Sequence, residues 1–314
     1  MTIIYGPVPS RRFGRSLGIN NIPPKRCSYS CVYCQLGQAG RMQITRESFY
    51  RPLEIARRVR ERLGQIRTKG EPIDYIAFVP DGEPTLDINL GKEVDLLREF
   101  NIKIAVITNS SLIWNEDVRQ DLQKADLVSV KLDTVSPDIW RKINRPHGQL
   151  KLDHILEGIL GFSQSFQGEL ITETMLVKGI NDDLNEIKNI AAFLAAVQPA
   201  KAYLAVPTRP PAKLIEPCTE QTLNAAYLIF SERLNSVEYL TEYEGNTFSS
   251  TGNAADDLLS ITAVHPMREE AVTELLNRLG LGWEVVHELI DNGSLMILEY
   301  QGKKFYARKL RNLD

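Results

Sequence analysis

The sequence predicts an α/β fold in which six parallel strands alternate with helices. Short apolar runs alternate with runs of helical periodicity over residues 17–234. Most of the short runs are almost continuously apolar, which is typical of parallel strands covered on both faces. Strands separated by helices imply right-handed crossovers within one sheet. The pattern leaves open whether this sheet closes into a barrel, but the functional site is expected beyond the carboxyl ends of its strands.

The individual elements follow from the same patterns. The predicted strands are rich in Val, Ile, Leu and Tyr and span residues 17–20, 75–79, 103–108, 127–132, 170–177 and 202–206. Helices are predicted where apolar residues recur at helical spacing, in stripes beginning at Leu53, Leu90, Leu152 and Leu184, and over residues 220–234. Asp182 or Asp183 is placed to cap the fourth of these helices.

The pattern changes near residue 240. Residues 256–264, 268–279 and 283–290 predict three short helices, and residues 295–300 and 304–307 predict a hairpin. Three helices followed by a hairpin is the order of a winged-helix domain. We therefore expect one α/β domain over residues 1–240, with a basic N-terminal arm, and a small winged-helix-like domain over residues 241–314.

Composition and charge restrict the possible partners. The 314 residues are 43% hydrophobic and 25% charged, which is ordinary for a soluble globular protein. The first residues lack the apolar segment of a secretory signal, and no apolar run approaches the length of a membrane span, so we expect a cytoplasmic protein that does not bind membranes. Residues 1–60 hold eleven Lys and Arg against two acidic residues. This excess favours an anionic substrate, a nucleic acid or a negatively charged cluster, although any single arginine can simply be solvated.

Three of the four cysteines, Cys27, Cys31 and Cys34, fall within eight residues. In a reducing compartment such a group indicates metal binding or redox chemistry rather than disulfides. Thiolates select zinc or iron–sulfur clusters, and a structural zinc site requires four closed ligands. No fourth cysteine and no histidine lies nearby in sequence, since Cys218 is remote. Three ligands would leave one iron of a four-iron cluster open.

The C-x3-C-x2-C spacing, with the aromatic Tyr33 before the last cysteine and a strand before the loop, resembles the signature of the radical S-adenosylmethionine (SAM) superfamily. The resemblance implies a (β/α)6 partial TIM barrel and a 4Fe-4S cluster on the three cysteines. It implies that the open iron binds SAM, and that the reduced cluster cleaves it to a deoxyadenosyl radical, which abstracts hydrogen from a substrate. An electron donor such as flavodoxin or ferredoxin is expected.

Two turns further along are similar to cofactor-binding turns of that superfamily. Gly82-Glu83-Pro84, after the second strand, resembles a Gly-Gly-Glu-Pro turn that meets the ammonium group of SAM, with Asp81 at the position of the first glycine. Gly82 is free to adopt positive φ and to bring the backbone close to a ligand. Asn109, after the third strand, is placed either to contact the adenosyl group or to stabilise the turn.

Charged residues occur inside two predicted strands. Lys131 and Asp133 flank Leu132, so both point to the same side of the sheet, and Glu173 lies within the fifth strand. Charges inside a parallel sheet require a partner. Either they form ion pairs between strands, or Lys131 and Asp133 contact the cofactor and Glu173 contacts the substrate.

Basic residues near the strand ends form a candidate anion-binding rim, because the arginine fork binds phosphate or carboxylate in a bidentate manner. For each residue alone, a surface role is the alternative. The rim residues are Arg11, Arg12, Arg15, Arg145, His147 and Arg209.

A narrower resemblance covers residues 6–18, the cysteine loop and residues 35–37, which are similar to the iron–sulfur oxidoreductases grouped with the wyosine-base synthases of tRNA. Those synthases hold a second cluster on further cysteines, and Cys218 alone cannot supply one, so wyosine synthesis is not inferred. A tRNA or protein substrate stays possible.

Two alternative functions are also open: a cluster-containing nucleic-acid-binding regulator and an activase of a glycyl-radical partner protein. The tail motivates the first. However, its predicted recognition helix, residues 282–292, carries three acidic residues and no Lys or Arg, which favours contact with a peptide or with the enzyme domain over DNA.

Overall fold

The protein is represented by a computed structural model that describes residues 3–10, 12–37, 41–67, 72–241, 248 and 252–309. The rim residue Arg11 lies outside these residues. The strands are β1 (Ile4–Ser10), β2 (Gly14–Ile19), β3 (Arg26–Cys27), β4 (Arg41–Met42), β5 (Tyr75–Phe78), β6 (Lys103–Thr108), β7 (Leu127–Lys131), β8 (Glu169–Met175), β9 (Lys201–Ala205), β10 (Val237–Leu240), β11 (Met267–Arg268), β12 (Leu295–Tyr300) and β13 (Lys303–Arg308).

The helices are α1 (Pro52–Arg67), α2 (Leu90–Leu97), α3 (Glu116–Leu122), α4 (Pro137–Ile143), α5 (Leu152–Ser165), α6 (Leu184–Val197), α7 (Glu220–Ser231), α8 (Ala254–Val264), α9 (Glu269–Leu279) and α10 (Glu284–Asp291). The short helices α3 and α4 were not predicted. Asp183 caps α6 by accepting hydrogen bonds from the backbone amides of Asn185 and Glu186, as predicted for one of the two aspartates.

The main sheet curls into a half-barrel with the order β1-β2-β5-β6-β7-β8-β9-β10. All six predicted strands are present and parallel, but the predicted count of six is wrong, because the sheet has eight strands. Strand β10 adds a parallel edge beside β9, and β1 adds an antiparallel edge beside β2. Pro7 and Pro9 lie in β1, and proline is tolerated in edge strands, so the sequence indicated an arm there rather than a strand.

Alternating side chains divide the sheet into two faces. Ile76 and Phe78 of β5 point outward into the main core beneath the helices, whereas Ala77 between them points inward. The inner face holds a smaller apolar cluster in which Phe13 packs against Ala77 and Ala105. Small side chains on the inner face therefore accommodate the turn between β1 and β2.

The C-terminal part has its own apolar core, formed by residues of α8, α9, α10 and a three-stranded sheet of order β11-β13-β12. The three predicted helices and the hairpin are present, and β11 is an additional strand. Val8 of β1 packs against this core, and the hydroxyl of Tyr300 donates to the carbonyl of Pro207 after β9, at 3.3 Å. The C-terminal part therefore contacts the half-barrel near both of its edges. Within the described ranges, every helix is too short or too polar to cross a membrane.

Candidate active site

The cysteine loop follows β2 and lies at the carboxyl ends of the strands. Cys27 belongs to β3, which pairs with β4, and Cys31 begins a tight turn in which its carbonyl accepts from the Cys34 amide at 3.2 Å. The three thiols are free and half-buried. Side-chain amides approach two of them: Nδ2 of Asn109 is 3.4 Å from Sγ of Cys27, and Nδ2 of Asn144 is 3.6 Å from Sγ of Cys31. The loop thus presents two of its three sulfur atoms to hydrogen-bond donors that directly follow β6 and α4.

The protein environment alone does not favour thiolates in this loop. Burial raises the pKa of Cys31 to about 12, and burial also raises the pKa of Cys27 and Cys34. A bound metal centre would supply the positive charge that deprotonated sulfur requires. The two amide donors would then stabilise the charge on sulfur, so the donor set fits a metal-bound state.

The number and arrangement of the thiols distinguish between the metal centres that the loop could hold. In the part of the chain that the structure describes, no three Cys, His, Asp or Glu side chains converge on a point that could hold one metal ion. A four-iron cluster does not need this convergence, because each thiolate binds a different iron atom. Three thiolates on one loop match the ligand number of a four-iron cluster with one open iron, whereas a closed structural zinc site needs four ligands around one ion.

The Gly82-Glu83-Pro84 turn lies directly against the cysteine loop. The amide of Glu83 donates to the carbonyl of Arg26 at 3.0 Å, and a Cβ atom at Gly82 would lie 1.9 Å from that same oxygen. Gly82 does not adopt positive φ, so that expectation is wrong, and the glycine is required by the close approach of the loop. The turn and the loop are thus packed as one unit.

Glu83 joins this turn to the next one. Its carboxylate is fully buried and accepts four hydrogen bonds. Oε1 accepts from the amide and hydroxyl of Thr85 and from the hydroxyl of Thr108, at 3.1, 2.6 and 2.7 Å, and Oε2 accepts from the Asn109 amide at 2.7 Å. Burial raises the pKa of Glu83. Glu83 therefore fixes Asn109, whose side chain reaches Cys27.

Asp81 occupies the position where the related turns carry glycine. It is buried, its amide donates to Oδ1 of Asn20 at 3.0 Å, and its carbonyl accepts from the Lys25 amide at 2.6 Å. Burial raises the pKa of its carboxyl group to about 7. The departure from glycine therefore introduces a buried carboxyl group without breaking the main-chain bonds of the turn.

The charged strand residues form an ion-pair network on the inner face. Lys131 and Glu173 are partners in register on β7 and β8, and Nζ of Lys131 is 2.8 Å from Oε1 of Glu173 and 3.6 Å from Oδ1 of Asp133. Arg12 pairs with the other oxygen of Glu173. Burial alone would raise the pKa of Glu173, but Lys131 and Arg12 lower it to about 2. The structure therefore shows the ion pair between strands.

Tyr33 connects the cysteine loop to this network. Its ring lies 4.8 Å from Nζ of Lys131, and its hydroxyl donates to Asp133. Nδ2 of Asn144 donates to the same carboxylate at 2.7 Å while approaching Cys31. Asn144 was not predicted as a site residue, because nothing in a single sequence distinguishes it from an ordinary residue at the end of a helix.

Arg209 connects the cysteine loop to the C-terminal part. Its Nη1 donates to Oε1 of Gln35 at 2.7 Å, and its Nη2 lies 3.2 Å from Nε2 of His265. His265 was also not predicted, because it lies 56 residues further along the chain, beyond the predicted domain boundary. Arg209, a residue of the predicted rim, therefore lies beside the cysteine loop.

Arg145 and His147 lie elsewhere. They line a cleft of about 970 Å³, which we call the outer cleft. Arg12, Lys131 and Glu173 are not among its described lining residues, so the basic residues of the predicted rim divide between two places. The outer cleft is lined by Ser30, Met42, Pro137, Trp140, Arg141, Arg145, Pro146, His147, Gly148, Leu150, Lys151, Leu152 and Asp153.

Comparisons with known proteins agree with this geometry. The family model described as the radical SAM superfamily matches residues 21–194. The chain is 50% identical, over its full length and 98% of the relative, to the UPF0026 protein MJ1312 of Methanocaldococcus jannaschii. Its fold is similar to a radical SAM methyltransferase from Sphaerobacter thermophilus, with a TM-score of 0.52, 16% identity and coverage of 71% of this chain and 66% of that chain. Its fold is also similar to Streptococcus suis SuiB bound to S-adenosylmethionine, with a TM-score of 0.52, 16% identity and coverage of 71% of this chain and 49% of that chain.

Proposed function

Because this chain belongs to the radical SAM superfamily and to the UPF0026 family, we propose that Cys27, Cys31 and Cys34 hold a 4Fe-4S cluster and that the enzyme cleaves SAM reductively to abstract hydrogen from an anionic substrate. It is a radical SAM enzyme, and this membership implies both the cluster and SAM. A cluster bound there supplies the electron that breaks a carbon–sulfur bond of SAM.

One observation carries the assignment of the cluster ligands. Three free thiols share one loop at the carboxyl ends of parallel strands, and amides from two other elements point at two of the sulfur atoms. Hydrogen bonds to cluster sulfur atoms are one of the means by which proteins adjust clusters. A loop of incidental cysteines would have no need for such donors.

The cofactor-binding residues are proposed to act in two ways. Glu83 accepts four bonds from the protein, so we assign it the task of fixing the 82–84 turn and Asn109 in place. Lys131 and Asp133 are held by Glu173, Tyr33 and Asn144, and we assign them the same positioning task beside the loop. Tyr33, Gly82, Pro84 and Asn109 stay as candidates for direct contact with SAM.

The substrate is proposed to be anionic. The interacting charges on the inner face include three cations, Arg12, Lys131 and Arg209, and two carboxylates, Asp133 and Glu173. Nε of Arg12 is buried and has no acceptor among the described residues. A buried donor without a partner is costly, so a ligand that supplies an acceptor would be favoured.

The C-terminal part is proposed to be a winged-helix-like domain that closes the open side of the half-barrel. Its core contacts Val8 at one edge of the sheet, and Tyr300 and His265 contact Pro207 and Arg209 near the other. We place the domain boundary near residue 240. This role needs no nucleic acid, in keeping with the acidic side chains of α10.

Anaerobic reconstitution with iron and sulfide tests the proposed function. We expect about four irons per chain in the wild type, together with SAM-dependent release of deoxyadenosine after addition of dithionite. A variant with Cys27→Ser, Cys31→Ser and Cys34→Ser should lose both, while Cys218→Ser, the matched control, should keep both. A preparation that binds only zinc, or a triple variant that keeps its iron, would refute the assignment.

A further inference from the structure

The outer cleft is a positively charged hollow in a chain whose formal net charge is −3. Arg141, Arg145 and Lys151 line it, with Asp153 as the acidic residue among the described lining residues, and Arg141 pairs with Asp138 at 2.9 Å beside the cleft. Met42 is 37% exposed beside these cations. The floor is apolar, because the buried side chains of Trp140 and Leu150 also line the cleft. The surface thus combines a small apolar centre with an excess of positive charge.

This cleft lies against the cysteine loop. Ser30 lines the cleft, and its amide donates to the carbonyls of Asn144 and Arg145 at 3.1 and 3.2 Å. The amide of His147 donates to the carbonyl of Ser28 at 2.9 Å. Asn144, adjacent to the cleft residue Arg145, approaches Sγ of Cys31 at 3.6 Å. A molecule in the outer cleft would therefore sit one residue away from a cysteine that we assign as a cluster ligand.

Reductive cleavage of SAM consumes one electron, and the electron must come from outside the chain. Beyond the loop the sequence contains one further cysteine, Cys218, which is buried and remote in sequence. A protein carrier would give up one electron and become oxidised by one electron, while the cluster becomes reduced by one. The carrier needs a surface close to the loop that leaves the inner face clear for SAM and substrate.

We propose that the outer cleft is the docking surface for an acidic one-electron carrier protein. This proposal rests on the proposed function. Electron-transfer partners form small interfaces, and complementary charge raises their association rate more than their affinity. The excess of cations in the cleft is complementary to an acidic carrier. An RNA strand is less well matched, because the aromatic side chain in the cleft, Trp140, is 5% exposed and offers little surface for base stacking.

Charge reversal tests the docking surface. In the double variant Arg141→Glu, Lys151→Glu, both positions are exposed, and a glutamate at the start of α5 suits the helix dipole. The matched control is Lys92→Glu, Lys188→Glu, which changes net charge equally at exposed positions outside the cleft. Stopped-flow absorbance would follow reduction of the loaded cluster by reduced flavodoxin, used as the acidic probe, at low and high salt.

We expect the cleft variant to be reduced by flavodoxin at least about tenfold more slowly than the control at low salt, with a weaker dependence on salt. Deoxyadenosine release driven by dithionite should be equal in both, because a small reductant needs no docking surface. Equal flavodoxin rates would overturn the proposal. So would RNA binding that the cleft variant loses while its flavodoxin rate is unchanged. A wild type that releases no deoxyadenosine even with dithionite would refute the proposed function itself.

Discussion

The charged residues on the two sides of the cysteine loop differ in how deeply they are buried and in how they are paired. On the inner side, Lys131 and Glu173 are 17% and 14% exposed and form an ion pair that also includes Arg12. On the outer side, Arg141 and Lys151 are exposed at the rim of an open cleft. Buried charges are costly unless paired, so the inner groups are held in fixed positions. Exposed charges act over distance and are screened by salt, so the outer groups suit steering of a partner.

The most direct test of this contrast is to remove the charge of one partner from the ion pair on the inner side. Glu173→Gln leaves Lys131 and Arg12 facing a neutral amide, and breaking a buried pair typically costs about 3–5 kcal/mol. We expect a loss of about 3 kcal/mol in the free energy of unfolding, measured with urea. Glu169→Gln is the matched control, since it makes the same change at an exposed position of the same strand. Equal losses in both variants would contradict the contrast.

The same ion pair predicts a dependence on pH. The pKa of Glu173 is lowered to about 2 in the folded chain, against about 4.3 when unfolded. The stabilisation it gives is therefore fully present above about pH 4.3 and is lost as the pH falls toward 2. The difference in unfolding free energy between the wild type and Glu173→Gln should shrink over this range. A difference that stays constant from pH 5 to pH 2.5 would show that the carboxylate is not paired.

Glu83 offers a second test of this comparison, because its buried carboxylate is held by hydrogen bonds instead of by cations. In Glu83→Gln, an NH2 group would face donors that now point at the carboxylate, among them the fixed amide of Asn109. An unsatisfied buried group costs about 1–3 kcal/mol. We expect a loss of that size, smaller than for Glu173→Gln. The control is Glu157→Gln on the exposed side of α5. A loss no larger than that of the control would mean that the donors are satisfied elsewhere.

Much of this site could be predicted from the sequence, because its parts are local. The cysteine spacing, the 82–84 turn and the strands that end beside them are each encoded by neighbouring residues. Strand alternation alone predicted that Lys131 and Asp133 point to the same side of the sheet. Pattern alone could not choose between an ion pair and a ligand contact, since that choice depends on the register of β7 against β8.

The parts that were missed depend on contacts between distant segments. Asn144 reaches Cys31 only because the segment after α4 is bonded to the loop, and His265 reaches Arg209 only because the C-terminal part contacts the half-barrel. The separation of Arg145 and His147 from Arg12 has the same origin. Arg12, Arg145 and His147 all lie near strands in sequence. However, Arg145 and His147 follow helix α4 and line the outer cleft, whereas Arg12 does not.

The smallest expected effect comes from the outer side. Arg141 is exposed, and its ion pair with Asp138 joins residues that are 66% and 88% exposed. Surface pairs of this kind contribute little, and substitutions of this kind usually change stability by less than about 0.5 kcal/mol. We therefore expect Arg141→Ala to unfold in urea like the wild type, at both low and high salt. A loss comparable to that of Glu83→Gln would mean that the outer cations support the fold, and the distinction between fixed inner charges and steering outer charges would then fail.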